Sequence, residues 1–261
     1  MTFDVAADAY ARFMGRYSEP LAALFADTAG VRPRNDTAGV RPPERVLDVG
    51  CGPGALTAEL VGRLGADAVS AIDPSPPFVA ALRSRFPTLD VRLGVAEDLL
   101  FPDHTFDACL AQLVVHFMSD AVAGLAQMRR VTRPGGVVAA CVWDFAGSGG
   151  PLGTFWRAVR DLDPQARDES GRAGAGPGDL EELCAAAGLT AIEPSTLTVT
   201  VPFATFEQWW DPFTLGVGPA GDYVRGLDEA AREAVRARCA ELQPEAPFEI
   251  RASAWCVRAL A

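Results

Sequence analysis

The sequence predicts an α/β protein built on an open, mostly parallel sheet with helices on both faces, and three observations carry that prediction. Between Arg45 and Trp143, apolar runs alternate with stretches of helical periodicity, the signature of parallel strands joined by right-handed crossovers. The apolar runs are four to eight residues long, as strands are when both faces are covered. A glycine cluster, Gly50-Cys51-Gly52-Pro53-Gly54, ends the first run and opens a helix. At 261 residues and 49% hydrophobic content, the chain is long enough to bury a full core as a single domain, 1–261.

Residues 1–27 read as an amphipathic helical flap with a break near Gly15 to Pro20. The heptad DTAGVRP then occurs twice, at Asp27 to Pro33 and at Asp36 to Pro42, so 28–44 is expected to be a duplicated surface linker. The strands of the core, 45–145, are expected at Arg45–Val49, Ala68–Asp73, Val91–Gly94, Phe106–Ala111 and Gly136–Trp143. Between them lie helices at Ala55–Leu64, closed by Gly65, at Pro76–Arg85, capped by Ser75, and at Asp120–Arg130. The C-terminal half, 146–261, has helices near Leu152–Leu162, Asp179–Ala187 and Leu227–Leu242. The alternating segment LTAIEPSTLTVTVPF and the final FEIRASAWCVRAL are expected to pair antiparallel and close one sheet edge. The aromatic stretch between them forms a cap around 202–245.

Composition excludes several function classes. There are 23 basic and 34 acidic residues, net −11, which disfavours nucleic acid and acidic membranes as partners. Every basic residue is Arg, so no Schiff-base lysine, P-loop lysine or Tyr-xxx-Lys pair exists. The six cysteines form no CxxC pair, and with only His104 and His116 beside them no metal site is expected. The N-terminus lacks a basic-then-apolar leader and no apolar run nears the ~20 residues of a membrane span, so the expected location is the cytoplasm.

In a doubly wound sheet, ligands bind outside the carboxyl ends of the strands where the strand order reverses. Asp73 ends the second strand 23 residues after Gly50, where a carboxylate can accept from ribose hydroxyls. Asp48 sets a negative charge beside the glycine turn, repelling pyrophosphate but suiting an ammonium or sulfonium. Glu97 or Asp98, after the third strand, is placed to accept from an adenine amino group. Together these describe a pocket for adenosine joined to a cationic amino acid, S-adenosylmethionine.

At this point the sequence resembles the class I S-adenosylmethionine-dependent methyltransferases, whose core is a Rossmann-like sheet of seven strands with an antiparallel last strand. The likeness rests on VLDVGCGPG, AIDPS, GVAEDLLFPDHTFD, LAQLVVHFMSD and RVTRPGGVVAACVWD. It is similar in particular to an uncharacterised small-molecule branch carrying YARFMGRYSEPLA, FWRAV, WWDPF and AWCVR. The resemblance implies that Gly50, Gly52 and Gly54, with Cys51 beside them, approach the methionyl part and that Asp73, followed by Pro74, holds the ribose. It further implies that Ala96 and Glu97 border the adenine and that Gln112 lies beneath the methionine. Two positions depart from the family: Val95 stands where Asp is frequent, and Leu99-Leu100-Phe101 replaces Leu-Pro-Phe.

Arg16 is expected to meet the cofactor carboxylate, with Tyr10 lining the same entrance; the competing reading is a packed helix with a solvated arginine. His116, after the fourth strand, is the candidate general base, against a histidine packed in LVVHFM, and Asp211 is a secondary candidate. Trp156, Trp209, Trp210, Phe213 and Tyr223 are the candidate acceptor wall, some of them core, and Gly216, Gly218 and Gly221 suggest a mobile lid over it. The expected activity is methyl transfer to a small molecule by a monomer or homodimer, leaving S-adenosylhomocysteine. The alternatives are a nicotinamide oxidoreductase, opposed by Asp48, and a non-catalytic cofactor-binding regulator or scaffold of the same fold.

Overall fold

The computed structural model describes residues 7–34 and 44–261. Its strands are β1 (Val46–Val49), β2 (Val69–Asp73), β3 (Asp90–Leu93), β4 (Phe106–Gln112), β5 (Thr132–Trp143), β6 (Thr190–Phe203) and β7 (Phe248–Leu260). They form one sheet in the order β3-β2-β1-β4-β5-β7-β6, in which only β7 runs against its neighbours. The chain steps outward from β1 to β3 and returns to β4 on the other side of β1. The strand order therefore reverses between β1 and β4, beside the glycine turn.

Helices cover both faces because the strands are apolar on both. Val46 points to one buried cluster and Leu47 and Val49 to the other. The first face carries α2 (Arg16–Thr28), α3 (Ala55–Leu64), α4 (Pro76–Arg85) and α6 (Gly153–Leu162); the second carries α5 (Ala121–Val131) and α7 (Asp179–Ala186). Leu56, Leu60 and Leu64 recur at every fourth position of α3 and are fully or almost fully buried, and Gly65 at φ +85° ends the helix. The Asp120 carboxylate caps α5 by accepting from Ala123 N at 2.9 Å. β6 lies at the sheet edge, where Pro194 and Pro202 interrupt no interior ladder. Among the described residues no helix is long and apolar enough to cross a membrane.

Three expectations for the chain's ends are revised. The N-terminal helix does not break at Gly15: after α1 (Ala7–Tyr10), a π-helical turn at Ala11–Gly15 leads straight into α2, which tolerates Pro20 near its start. The first DTAGVRP copy is not linker, because Asp27 and Thr28 finish α2 and Val31 is wholly buried. The second copy lies outside the described residues. Lastly, the cap is packed helix rather than a mobile lid. It comprises α8 (Phe206–Trp210), a 3₁₀ turn at Asp211–Leu215, α9 (Gly218–Gly226) and α10 (Glu229–Leu242). A Cβ on Gly221 would lie 2.6 Å from the Gly216 carbonyl carbon, so glycine there serves close packing.

Arg63 ties the flap to the core. Its guanidinium donates to Asp27 at 2.7 Å, Val31 O at 2.7 Å and Ala23 O at 3.0 Å, while Nε donates to Glu59 at 2.7 Å. Replacing it strands two partly buried carbonyls as well as an ion pair. Arg63→Met is therefore expected to destabilise the fold by about 2 kcal/mol, read as a lower midpoint in urea. An unchanged midpoint would contradict a structural role for the first heptad copy.

Candidate functional site

The site grows from the carboxyl ends of β1, β2 and β4. Gly50 leaves β1 at φ +68°, and an added Cβ would lie 2.1 Å from Cγ2 of Val114, so only glycine fits. Gly50 N and Cys51 N both donate to Ile72 O, at 2.8 and 3.1 Å, which anchors the turn to β2. Gly52 N then donates to Asp73 Oδ2 at 2.8 Å, and Ser75 N to Asp73 Oδ1 at 2.8 Å. Each carboxylate oxygen keeps a lone pair for a further donor.

Asp48 is 1% exposed and accepts from the Thr57 hydroxyl at 2.6 Å. Burial pushes its pKa up to about 7; the Thr57 hydrogen bond opposes the rise and Asp73 adds to it. Burial also raises Asp73, against the two backbone N–H groups that favour its anion.

These groups wall a cavity of about 300 Å³. Of the residues expected to hold the cofactor, Tyr10, Asp48, Gly50, Cys51 and Gly52 line it, as do Asp73, Pro74, Ala96, Glu97 and Gln112. Tyr10 sits edge-on to Phe78 at 5.5 Å, its phenol pushed up to about 12 by burial and by Asp73. Glu97 Oε1 accepts from Ser119 N at 2.6 Å and Asp120 N at 3.2 Å, which fixes the loop closing this end.

Two expected contributors lie elsewhere. Gly54, at φ +97°, is the N-cap of α3 and faces Leu82. The Arg16 guanidinium donates to Gln208 O at 3.3 Å and lies 5.3 Å over the Phe203 ring, away from the cavity, because α2 aims it at the cap.

On the same helix it is Ser18, not Arg16, that lines the cavity. Gln112 Nε2 donates to Ser18 O at 2.9 Å, and both Gln112 Oε1 and Ser18 Oγ are buried with no partner within the protein. Ser18, Phe78, Leu113, Val114, Phe117, Met118 and Ser119 also line the cavity and were not among the residues expected to do so. The only hint was that Ser18 follows Tyr10 by two helical turns.

A second, smaller chamber of about 40 Å³ adjoins the first and shares Tyr10, Leu113 and Phe117 with it. His116 lines this chamber, 6% exposed and packed on Phe117 at 3.9 Å and Phe145 at 5.4 Å. Burial, helped by Arg172, lowers its pKa to about 3, so near neutrality the imidazole is uncharged and a poor proton acceptor. Glu169, from a glycine-rich loop, lines the same chamber.

The expected acceptor wall is not brought to either chamber. Phe213 stacks on Phe155 at 4.5 Å and meets Phe13 and Trp209, each at 4.9 Å, while Trp210 stacks on it at 5.9 Å. Trp209, Trp210 and Phe213 are at most 3% exposed, so they form the core beneath the cap. Trp156 packs on Phe155 and Tyr223. Tyr223 belongs to α9 and lines neither chamber, and the same holds for Asp211, at the start of the 3₁₀ turn. Among the described residues no three His, Cys, Asp or Glu side chains gather to hold a metal ion.

Residues 47–140 match the methyltransferase domain family. The malonyl-[acyl-carrier protein] O-methyltransferase of Serratia marcescens is 38% identical over 118 residues, 45% of each chain. The chain spans less than half the length of the curated relatives it matches. The YcgJ protein of Bacillus subtilis has a crystal structure with TM-score 0.57 at 19% identity, covering 94% of this chain and 97% of that one. A phosphoethanolamine N-methyltransferase of Haemonchus contortus, solved with phosphomonomethylethanolamine and S-adenosylhomocysteine, has TM-score 0.57 at 16% identity, covering 97% of this chain and 56% of that one. At these identities the two solved structures show a shared fold.

Proposed function

We propose, from the premise that residues 47–140 are a class I S-adenosylmethionine-dependent methyltransferase domain, that the whole chain binds S-adenosylmethionine in the large cavity and methylates a small molecule. The observation that carries this reading is the pair of buried, partnerless oxygens, Gln112 Oε1 and Ser18 Oγ, beside two carboxylates at a glycine turn. An amino acid's ammonium would satisfy both oxygens. A Cβ on Gly52 would meet nothing within 4 Å, so the turn leaves its backbone open to a ligand. Asp73 would hold the ribose hydroxyls, Ala96 would border the adenine, and Asp48 would favour positive charge at the turn. When bound, the cofactor supplies a methyl group already activated by its sulfonium, so the chain's task is to align an acceptor and exclude water.

A cation beside Asp48 stabilises its carboxylate, so the ionised form binds more tightly. Affinity for S-adenosylmethionine is therefore expected to rise up to about tenfold between pH 6 and 8, as Asp48 ionises through about 7. Asp48→Asn should weaken binding and flatten that dependence. Calorimetric titration checks both, with S-adenosylhomocysteine and NAD as companion ligands; NAD binding, or an unchanged affinity in the variant, would overturn the charge assignment. The alternative, a cofactor-binding regulator without catalysis, draws on the small volume of the second chamber, about 40 Å³. Methyl transfer to any small acceptor would exclude it.

A further inference from the structure

We propose that the second chamber is the acceptor site, that it takes a neutral, largely apolar molecule with one weakly acidic hydroxyl, in its simplest form a phenol, and that Glu169 Oε2 receives the hydroxyl proton. The inference rests on the cofactor reading given above, because the two chambers share Tyr10, Leu113 and Phe117.

The chamber's lining is mostly apolar, and its nitrogen- and oxygen-bearing side chains are those of Tyr10, His116, Trp143 and Glu169. Glu169 is 3% exposed, and its Oε2 has no partner within the protein. His116 Nδ1 and Trp143 Nε1 are also buried without one. Each buried polar group left unpaired costs about 1–3 kcal/mol, so the set is matched to something that pairs with it. One hydroxyl does so: its proton points to the carboxylate while its oxygen accepts from the imidazole or the indole. The remaining wall, with Phe13, Phe145, Leu152 and Val217, suits the apolar body of a ring.

Charge narrows the class further. Arg172 lies on the same loop as Glu169, donates to His116 O at 3.2 Å and covers the Phe117 ring at 5.2 Å. Asp168 is taken up by Arg160 and Ser170. Trp156, outside this chamber, turns its indole N–H to the Glu169 carboxylate and favours its anion, and the two side chains line a neighbouring space with Asp168. Burial pushes the Glu169 pKa up to about 7, against the pull of Trp156 and Arg172. A carboxylate poised there can take the proton of a weakly acidic hydroxyl as its oxygen is methylated. An anionic acceptor would bring a second negative charge into an apolar space.

In the step itself, the acceptor's O–H bond breaks and its proton passes to Glu169 Oε2. A new O–C bond forms as the sulfonium's S–C bond breaks, and that electron pair returns to sulfur. Glu169 later yields the proton to water. The free volume of about 40 Å³ holds only a few waters, so an acceptor must displace the half-buried Met14 at the rim.

The test uses the full chain with phenol, 4-nitrophenol and 2-naphthol as probes. Calorimetry on the S-adenosylhomocysteine-loaded protein should show saturable binding of at least one probe, and that probe should form its methyl ether with S-adenosylmethionine. Glu169→Gln should keep cofactor affinity within about twofold while lowering kcat/KM at least about a hundredfold, with partial recovery in Glu169→Asp. Met14→Trp should abolish probe binding and leave cofactor affinity intact. Tight cofactor binding with no probe binding would overturn this inference alone, as would wild-type turnover in Glu169→Gln or undiminished probe binding in Met14→Trp. Failure of the wild-type chain to bind S-adenosylmethionine would overturn the cofactor reading itself.

Discussion

Gly50→Ala is expected to abolish measurable cofactor binding and to destabilise the fold by roughly 3 kcal/mol. A residue with a side chain at φ +68° pays about 1–2 kcal/mol for the left-handed backbone. The new Cβ would also lie 2.7 Å from Cβ of Val114 as well as 2.1 Å from its Cγ2, a clash that no rotation of a branched side chain relieves. Overpacking of this kind adds about 1–3 kcal/mol. The turn that carries Gly50 N and Cys51 N to Ile72 O would shift, and with it Gly52 N, which orients the Asp73 carboxylate. Thermal unfolding and calorimetry measure the two effects separately. Val114→Gly in the same chain should return the steric part of the stability and leave the backbone part lost. If the single variant keeps both its midpoint and its affinity, the turn is not the cofactor's support.

Phe213→Ala is expected to cost about 3–5 kcal/mol, the range for removing a buried phenylalanine, with little change in cofactor affinity. Phe213 is 1% exposed and touches aromatic rings from the flap, α6 and α8 at once. Its loss leaves a cavity among Phe13, Phe155, Trp209 and Trp210 that rigid rings cannot collapse to fill. A denaturant titration gives the stability change. A variant that keeps full stability but loses an acceptor would restore the ring to a substrate wall and refute its place in the core.

Phe213 also shows why part of the site was illegible from sequence. Rings in WWDPF have one composition whether they line a pocket or fill a core, and the deciding fact is the stack on Phe155 from a distant helix. Asp48 and Asp73 were legible for the opposite reason, while Gln112 came from the family resemblance. Both acids lie at or next to the carboxyl end of a strand that local apolar periodicity reveals, and parallel pairing with right-handed crossovers brings strand ends to one edge of the sheet. Ser18 and Glu169 have no such local signal. Ser18 reaches the cavity only through the docking of α2, and Glu169 sits in a segment whose glycines and charges read as solvated loop, yet the fold buries its carboxylate. Arg16 failed as a cofactor ligand by direction: it lies two residues from Ser18 on the same helix and so faces elsewhere.

Tyr10, Leu113 and Phe117 form a party wall, and a party wall makes tenants aware of each other. A molecule pressing on one side of these three side chains sets the shape felt on the other, and thermodynamic reciprocity requires the influence to run equally both ways. Calorimetric titration should therefore give the same ratio of affinities for a phenol with and without S-adenosylhomocysteine as for S-adenosylhomocysteine with and without the phenol.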